Sequence, residues 1–131
     1  MRPNSNSRAG LVSILDDDES LRSSMADLLM SAGIPSQSFA SAEEFLTTGA
    51  LKNTACVITD VCMPGMSGFD LQSRLAADKY SIPMIFITAH ADGHFRARAL
   101  RAGAVEFLSK PFDEERLLKA VQAALAEYTA G

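Results

Sequence analysis

Two stretches of this chain, Ala55-Cys-Val-Ile-Thr59 and Pro83-Met-Ile-Phe-Ile-Thr88, are apolar almost without a break yet too short to be buried helices. A strand with one wet face alternates apolar and polar residues, whereas a strand covered on both faces does not. These runs therefore call for a sheet with a layer on each side, and the segments between them supply the layers. Gly10-Leu-Val-Ser-Ile-Leu15, the weaker Ser36 to Phe39, and Ala104-Val-Glu-Phe-Leu108 bring the strand candidates to five. Leu21, Met25, Leu28 and Leu29 recur at helical spacing as far as Gly33, and Ser41-Ala-Glu-Glu44 is a capping box opening a short helix to about Gly49. Residues 51 to 54 form a link. Leu71, Leu75 and Ala76 mark a third helix begun near Gly68, and a fourth spans roughly Asp92 to Ala102 before Gly103. Asp113 caps a last amphipathic helix through Leu117, Leu118, Val121 and Leu125 to about Tyr128. Strict β/α alternation of this kind gives an α/β, doubly wound parallel sheet. The 131 residues suffice for one domain, over 10–131, with 1–9 read as a flexible leader.

Charge and composition remove whole classes of function. A formal net charge of -4 leaves no electrostatic footprint for nucleic acid, so this domain alone is not expected to bind it. No apolar run approaches the roughly 20 residues of a membrane span, and the polar opening Met1-Arg-Pro-Asn-Ser-Asn-Ser-Arg8 is no signal peptide. The expectation is a cytoplasmic protein away from membranes. Cys56, inside a strand run, and Cys62, in the loop after it, have no Cys/His cluster near them and read as reduced thiols.

Parallel strands of an open α/β sheet present their carboxyl ends along one rim, where such folds place ligands. Here the runs end in Asp16-Asp17, Asp60, Thr88 and Lys110-Pro111, with Met63-Pro64-Gly65 just behind Asp60. Three clustered carboxylates repel unless a cation lies among them, and Mg²⁺ suits oxygen ligands of this kind while leaving room for a phosphate oxygen. Asp60 can then attack phosphorus and form an acyl phosphate. Thr88 offers a hydroxyl and Lys110 a positive charge to the oxygens of the transferred group, so the set reads as one phosphoryl-transfer site. Gly65 and Gly68 fit a loop that turns tightly above Asp60.

In order and spacing, Asp16-Asp17, Asp60 with Met63-Pro64-Gly65, Thr88-Ala89 and Lys110-Pro111-Phe112 resemble the receiver domain of bacterial two-component response regulators, from Leu11 to about Tyr128. Ser41-Ala-Glu-Glu-Phe45, Thr88-Ala-His-Ala-Asp92 and Ala102-Gly-Ala-Val-Glu-Phe107 are most similar to regulators of the FixJ type, which usually carry a C-terminal DNA-binding domain. The resemblance implies a flavodoxin-like (βα)5 sheet of order 2-1-3-4-5 and Asp60 as phosphoacceptor. It also implies Mg²⁺ held by Asp17, Asp60 and the main-chain carbonyl of Cys62 with help from Asp16. Thr88 and Phe107 would be a switch pair, Lys110 the residue sensing phosphate, and Lys110-Pro111 a cis peptide. The donor would be a sensor histidine kinase, and the output a changed surface around the last two helices and the strand between them, controlling transcription.

Other residues carry competing readings. Phe107 stands where many relatives have Tyr, so switching there works through ring packing alone, and simple core packing is the alternative. Asp18 and Glu19 suit the first turn of a helix. His90 and His94 read as exposed loop residues. Arg96, Arg98 and Arg101 make one helix basic, either as solvated charges or as a surface that meets Asp113, Glu114 or Glu115 of a second copy in a phosphorylation-linked homodimer. Met25 and Met30 read as core, and Met63 and Met66 as buried loop residues or a partner contact. Two further functions are weighed. A haloacid-dehalogenase-like phosphatase would use Asp16 as nucleophile and Asp18 as general acid, but leaves Asp60 without a role. A receiver-like binding module that is never phosphorylated gains nothing from clustered buried charge.

Overall fold

The computed structural model describes residues 11–89 and 93–130, the side chains of 127–130 aside, so the expected leader and the His90 and Asp92 readings lie outside the described residues. Five parallel strands, β1 (Val12–Leu15), β2 (Ser36–Phe39), β3 (Cys56–Asp60), β4 (Met84–Thr88) and β5 (Glu106–Ser109), stand in the order β2-β1-β3-β4-β5. Between and after them run α1 (Glu19–Ser31), α2 (Ala42–Thr47), α3 (Gly68–Ala77), α4 (Gly93–Arg101) and α5 (Glu114–Ala130). This is the flavodoxin-like order expected. Every residue of β3 and β4 is buried, which is why their sequences lack alternation. Among the described residues no helix is long and apolar enough to cross a membrane.

Period-2 geometry sorts the strand side chains onto two faces. Val12, Ile14, Cys56, Ile58, Ile85 and Ile87 pack with Met25 and Leu29 of α1 and Leu117 and Val121 of α5. Leu15, Val57, Met84, Phe86 and Phe107 pack with Phe45 of α2, Phe69, Leu71 and Leu75 of α3 and Ala99 of α4. Both faces are thus dry, and the rim at the strand ends is left for chemistry.

Local chemistry fixes where the elements begin. Asp18 is the N-cap of α1, one step before the first turn where it was expected, and its carboxylate accepts from the Leu21 amide. Ser41 Oγ accepts from the Glu44 amide, but Glu44 Oε1 accepts from the amide of Ala40, so only half the expected box closes. Ser67 and Asp70 form a complete capping box at α3. Asp113 Oδ1 accepts from the amide of Glu115 at 2.8 Å and opens α5. Two expectations are corrected. The link at 51–54 is wound into a 3-10 turn over Ala50–Asn53, because the buried Thr54 hydroxyl needs partners and finds them in Ala50 O and Ser13 Oγ. Met30 is not core: it is 72% exposed, while Met25, five positions earlier and about 140° away around the helix, is fully buried.

Candidate functional site

Strand register decides which side chains meet at the rim. Leu15 pairs with Thr59, Asp60 with Ile87 and Thr88 with Ser109, so the residues at or just past these pairs arrive at one level. Asp60, at the end of β3, is 6% exposed. Its Oδ1 accepts from the Cys62 amide at 2.9 Å and its Oδ2 from Lys110 Nζ at 2.8 Å. Asp16 is fully buried, with Oδ1 accepting from the Asp18 amide at 2.9 Å. Its Oδ2 lies 3.1 Å from Lys110 Nζ without a well-directed hydrogen bond. Asp17 is exposed beside them.

Lys110 therefore supplies the cation that the acid cluster requires. Burial works to lower its pKa, but the hydrogen bond to Asp60 and the close charges of Asp16 and Asp60 outweigh burial and hold it above the ordinary lysine value. Asp16 moves in the other sense from its own norm: burial raises its pKa, and the Asp18 amide and Lys110 only partly offset that. A buried thiol elsewhere behaves as an inert group, since burial pushes Cys56 up to about 12. Both Cys56 and Cys62 are free thiols.

Asp16, Asp17 and Asp60 each offer a carboxylate oxygen within 4.8 Å of the others. Hard oxygens so arranged fit a small divalent cation such as Mg²⁺, and the buried Oδ2 of Asp16 is poorly satisfied by the protein alone. Cys62 is exposed in the loop two residues past Asp60, tied to it through its amide. His94 is exposed and stands outside this cluster.

Thr88 is fully buried at the end of β4, and its carbonyl accepts from the Lys110 amide at 2.8 Å. The Lys110-Pro111 peptide is cis. Phe107 is 1% exposed and sits opposite Phe86 in the sheet. Arg96 lies over its ring at 5.6 Å and donates to its carbonyl at 3.2 Å. Arg98 lies 4.1 Å over the Phe69 ring. Two of the three α4 arginines are thus engaged with the domain's own aromatics, which corrects the reading of them as merely solvated.

The loop above Asp60 shows why glycine stands at position 68: an added Cβ would come within 2.7 Å of the Asp60 carbonyl oxygen. Met63 is buried in this loop and Met66 half-buried. Two contacts at the rim had no counterpart in the sequence reading, one local and one between distant segments. Arg22 of α1 donates to the Asp16 carbonyl at 2.7 Å, and Glu43 of α2 accepts from the Met66 amide at 2.8 Å. Arg22 lies one helical turn past a cap, a spacing that hints at a backward reach; Glu43 gives no such signal. The phosphatase reading finds no support. Asp16 is shut away from solvent and bonded to the Asp18 amide, and Asp18 spends its carboxylate on the helix cap.

The sequence matches the response regulator receiver domain family over residues 12–122. It is 44% identical over 118 residues to nodulation protein W of Bradyrhizobium diazoefficiens, covering 90% of this chain and 52% of that protein. It is 40% identical over 114 residues to the transcriptional regulatory protein FixJ of Azorhizobium caulinodans, covering 87% of this chain and 54% of the relative. Among solved structures, the response regulator StyR superposes with a TM-score of 0.84 at 42% identity, over 92% of this chain and 61% of that one. The chain spans about half the length of these curated relatives. With rim, register and sequence in agreement, this chain belongs to the receiver domain family of two-component response regulators.

Proposed function

We propose that Asp60 is the phosphoacceptor of this receiver domain and takes its phosphoryl group from the phosphohistidine of a sensor histidine kinase in a cytoplasmic relay. The observation that carries this is the setting of Asp60: a carboxylate at a strand end, held between the Cys62 amide and the Lys110 ammonium with two more carboxylates alongside. An Asp60 oxygen attacks phosphorus, the new P–O bond forms as the P–N bond breaks, and the electron pair leaves with the donor's imidazole nitrogen. Lys110, already on Asp60 Oδ2, turns its charge to the transferred oxygens, and the Thr88 hydroxyl donates to one of them. Asp17, Asp60 and the Cys62 carbonyl, assisted by Asp16, would hold Mg²⁺, which neutralises the charge gathered in the transfer. The chain catalyses its own phosphorylation and dephosphorylation and no other reaction.

Phosphorylation then acts on the surface of α4, β5 and α5. A Thr88 hydroxyl drawn to the phosphoryl group vacates space, and Phe107 repacks against it, carrying Arg96 with it. Arg101 on that face can meet Asp113, Glu114 or Glu115 of a second copy, making each contact twice in a two-fold dimer. An attached output domain or a separate partner reads the change and so controls transcription.

The test is the mass gained on incubation with a small-molecule phosphodonor and Mg²⁺. The native chain gains one phosphoryl group and Asp60→Asn gains none. An undiminished adduct on Asp60→Asn overturns the assignment; a native chain that gains nothing is a binding module instead.

A further inference from the structure

The segment from Cys62 to Ser67 is tied down at both ends. The Cys62 amide is on Asp60 Oδ1 and the Gly68 amide on the Val61 carbonyl, while Ser67 caps α3. Between those ends the Met66 amide donates across a gap of 23 positions to Glu43 Oε2, at 2.8 Å. A second observation shows how closely that carboxylate is applied to the loop. Gly65 has φ +79°, and a Cβ there would lie 2.6 Å from the same Oε2 and 3.3 Å from the Glu43 carboxyl carbon. Only a residue without a side chain lets the carboxylate rest on this backbone. Glu43 itself rises from a firm base, the first turn of α2, where Ala42 and Phe45 are buried.

We infer that Glu43 is a positioning residue for the Mg²⁺ site, a carboxylate strut from α2 that holds the backbone of the 62–66 loop, the loop that offers the Cys62 carbonyl. The inference rests on the reading of Asp60 as phosphoacceptor with the Cys62 carbonyl offered to Mg²⁺. Charge-assisted bonds to backbone N–H groups are stronger than neutral ones, and this one, one residue before the Ser67 cap, adds a tether from another helix to those the loop already has. Partners standing behind a metal ligand set its orientation and so the affinity of the site. The exposed position of Glu43 means that its removal leaves the core intact.

The test uses the full chain with Glu43→Ala, Glu43→Gln and Gly65→Ala. Loss of the strut should speed hydrogen exchange at the Met66 amide by about tenfold or more, as expected of a freed loop amide. The calorimetric Mg²⁺ dissociation constant should rise about tenfold in Glu43→Ala while the phosphorylation rate at saturating Mg²⁺ stays within about twofold. Glu43→Gln, whose amide oxygen still accepts from Met66, should restore most of the affinity. Gly65→Ala, strained by its positive φ as well as by the carboxylate, should be at least as defective as Glu43→Ala. Unchanged Mg²⁺ affinity in Glu43→Ala, or a Gln variant as defective as Ala, overturns the strut. A native chain that binds Mg²⁺ but never gains a phosphoryl group overturns the phosphoacceptor reading instead, and the exchange and calorimetric data still judge Glu43.

Discussion

The two faces of the sheet are built from different materials. Under α1 and α5 the buried layer is aliphatic: Val12, Ile14, Ile58, Ile85, Ile87, Leu117 and Val121. Under α2, α3 and α4 aliphatic residues such as Leu15, Val57, Leu71 and Leu75 are joined by Phe39, Phe45, Phe69, Phe86 and Phe107, with Phe95 packed against them. Branched aliphatic side chains have few rotamers and interlock in one arrangement. Large rings touch many neighbours at once, and two of these carry an arginine from the surface. Strand parity links the contrast to the rim. Asp60 continues the positions of Cys56 and Ile58 on β3, on the aliphatic side, while Thr88 continues those of Met84 and Phe86 on β4, on the aromatic side. The proposed phosphoacceptor thus stands on the aliphatic side, and the hydroxyl proposed to sense its phosphate on the side that carries the surface arginines.

The comparison breaks most readily in the aliphatic layer. Ile58 is fully buried two residues before Asp60, and Ile58→Ala should cost about 2–5 kcal/mol in urea unfolding, the usual range for a large buried deletion. A cost below that range would mean the layer is not the frame described. Next comes Asp16→Asn, which should stabilise by about 1–3 kcal/mol, since a buried, poorly satisfied carboxylate becomes a neutral amide and Lys110 keeps Asp60. Because the folded pKa of Asp16 is raised, the cost of holding it ionised in the folded chain falls away as pH falls through the carboxylate range. The advantage of Asp16→Asn should therefore be largest at neutral pH and shrink on acidification; an advantage that grows in acid would reverse the assignment. Mg²⁺ affinity should fall in the same variant. On the aromatic side, Phe107→Leu should cost less than about 1.5 kcal/mol, yet blunt the change in association on adding a phosphate mimic, read by sedimentation. An undiminished shift would place the output elsewhere.

How much of this was legible in the sequence follows the range of the interactions. The buried strands announced themselves because covering both faces of β3 and β4 removes alternation, and the rim followed from parallel order. Asp16, Asp60 and Lys110 were legible because strand ends concentrate in one place whatever the details of packing. Met30 was misread because hydrophobicity drew it into the core, although it lies about 140° around the helix from Met25, off the stripe that Met25 and Leu29 share. The 3-10 turn at Ala50–Asn53 depends on a hydroxyl pair, Ser13 and Thr54, separated by 41 positions. Glu43 and Arg98 escaped for the same reason: each acts on a partner that only the fold brings near.

Arg98 gives the smallest effect and the sharpest view of the aromatic face. Its guanidinium carbon sits 4.1 Å over the Phe69 ring, whose edge in turn contacts Phe86 at 5.2 Å and Phe95 at 5.9 Å between centroids. A cation over a ring face at an exposed site is worth about 0.5–1 kcal/mol, and Arg98→Ala should cost that much. If the interaction is with the ring and not with solvent or a distant acid, the loss should vanish in a Phe69→Leu background, where the quadrupole is gone but an apolar side chain remains. The double-mutant cycle isolates this coupling, since both single changes leave the rest of the core standing. Arg96→Ala should couple to Phe107→Leu in the same way, with an added loss from its bond to the Phe107 carbonyl, which survives the ring change and so does not enter the coupling energy. A coupling near zero for both pairs would show that the arginines lie on the rings without holding them, and the aromatic layer would then be as independent of its surface as the aliphatic one.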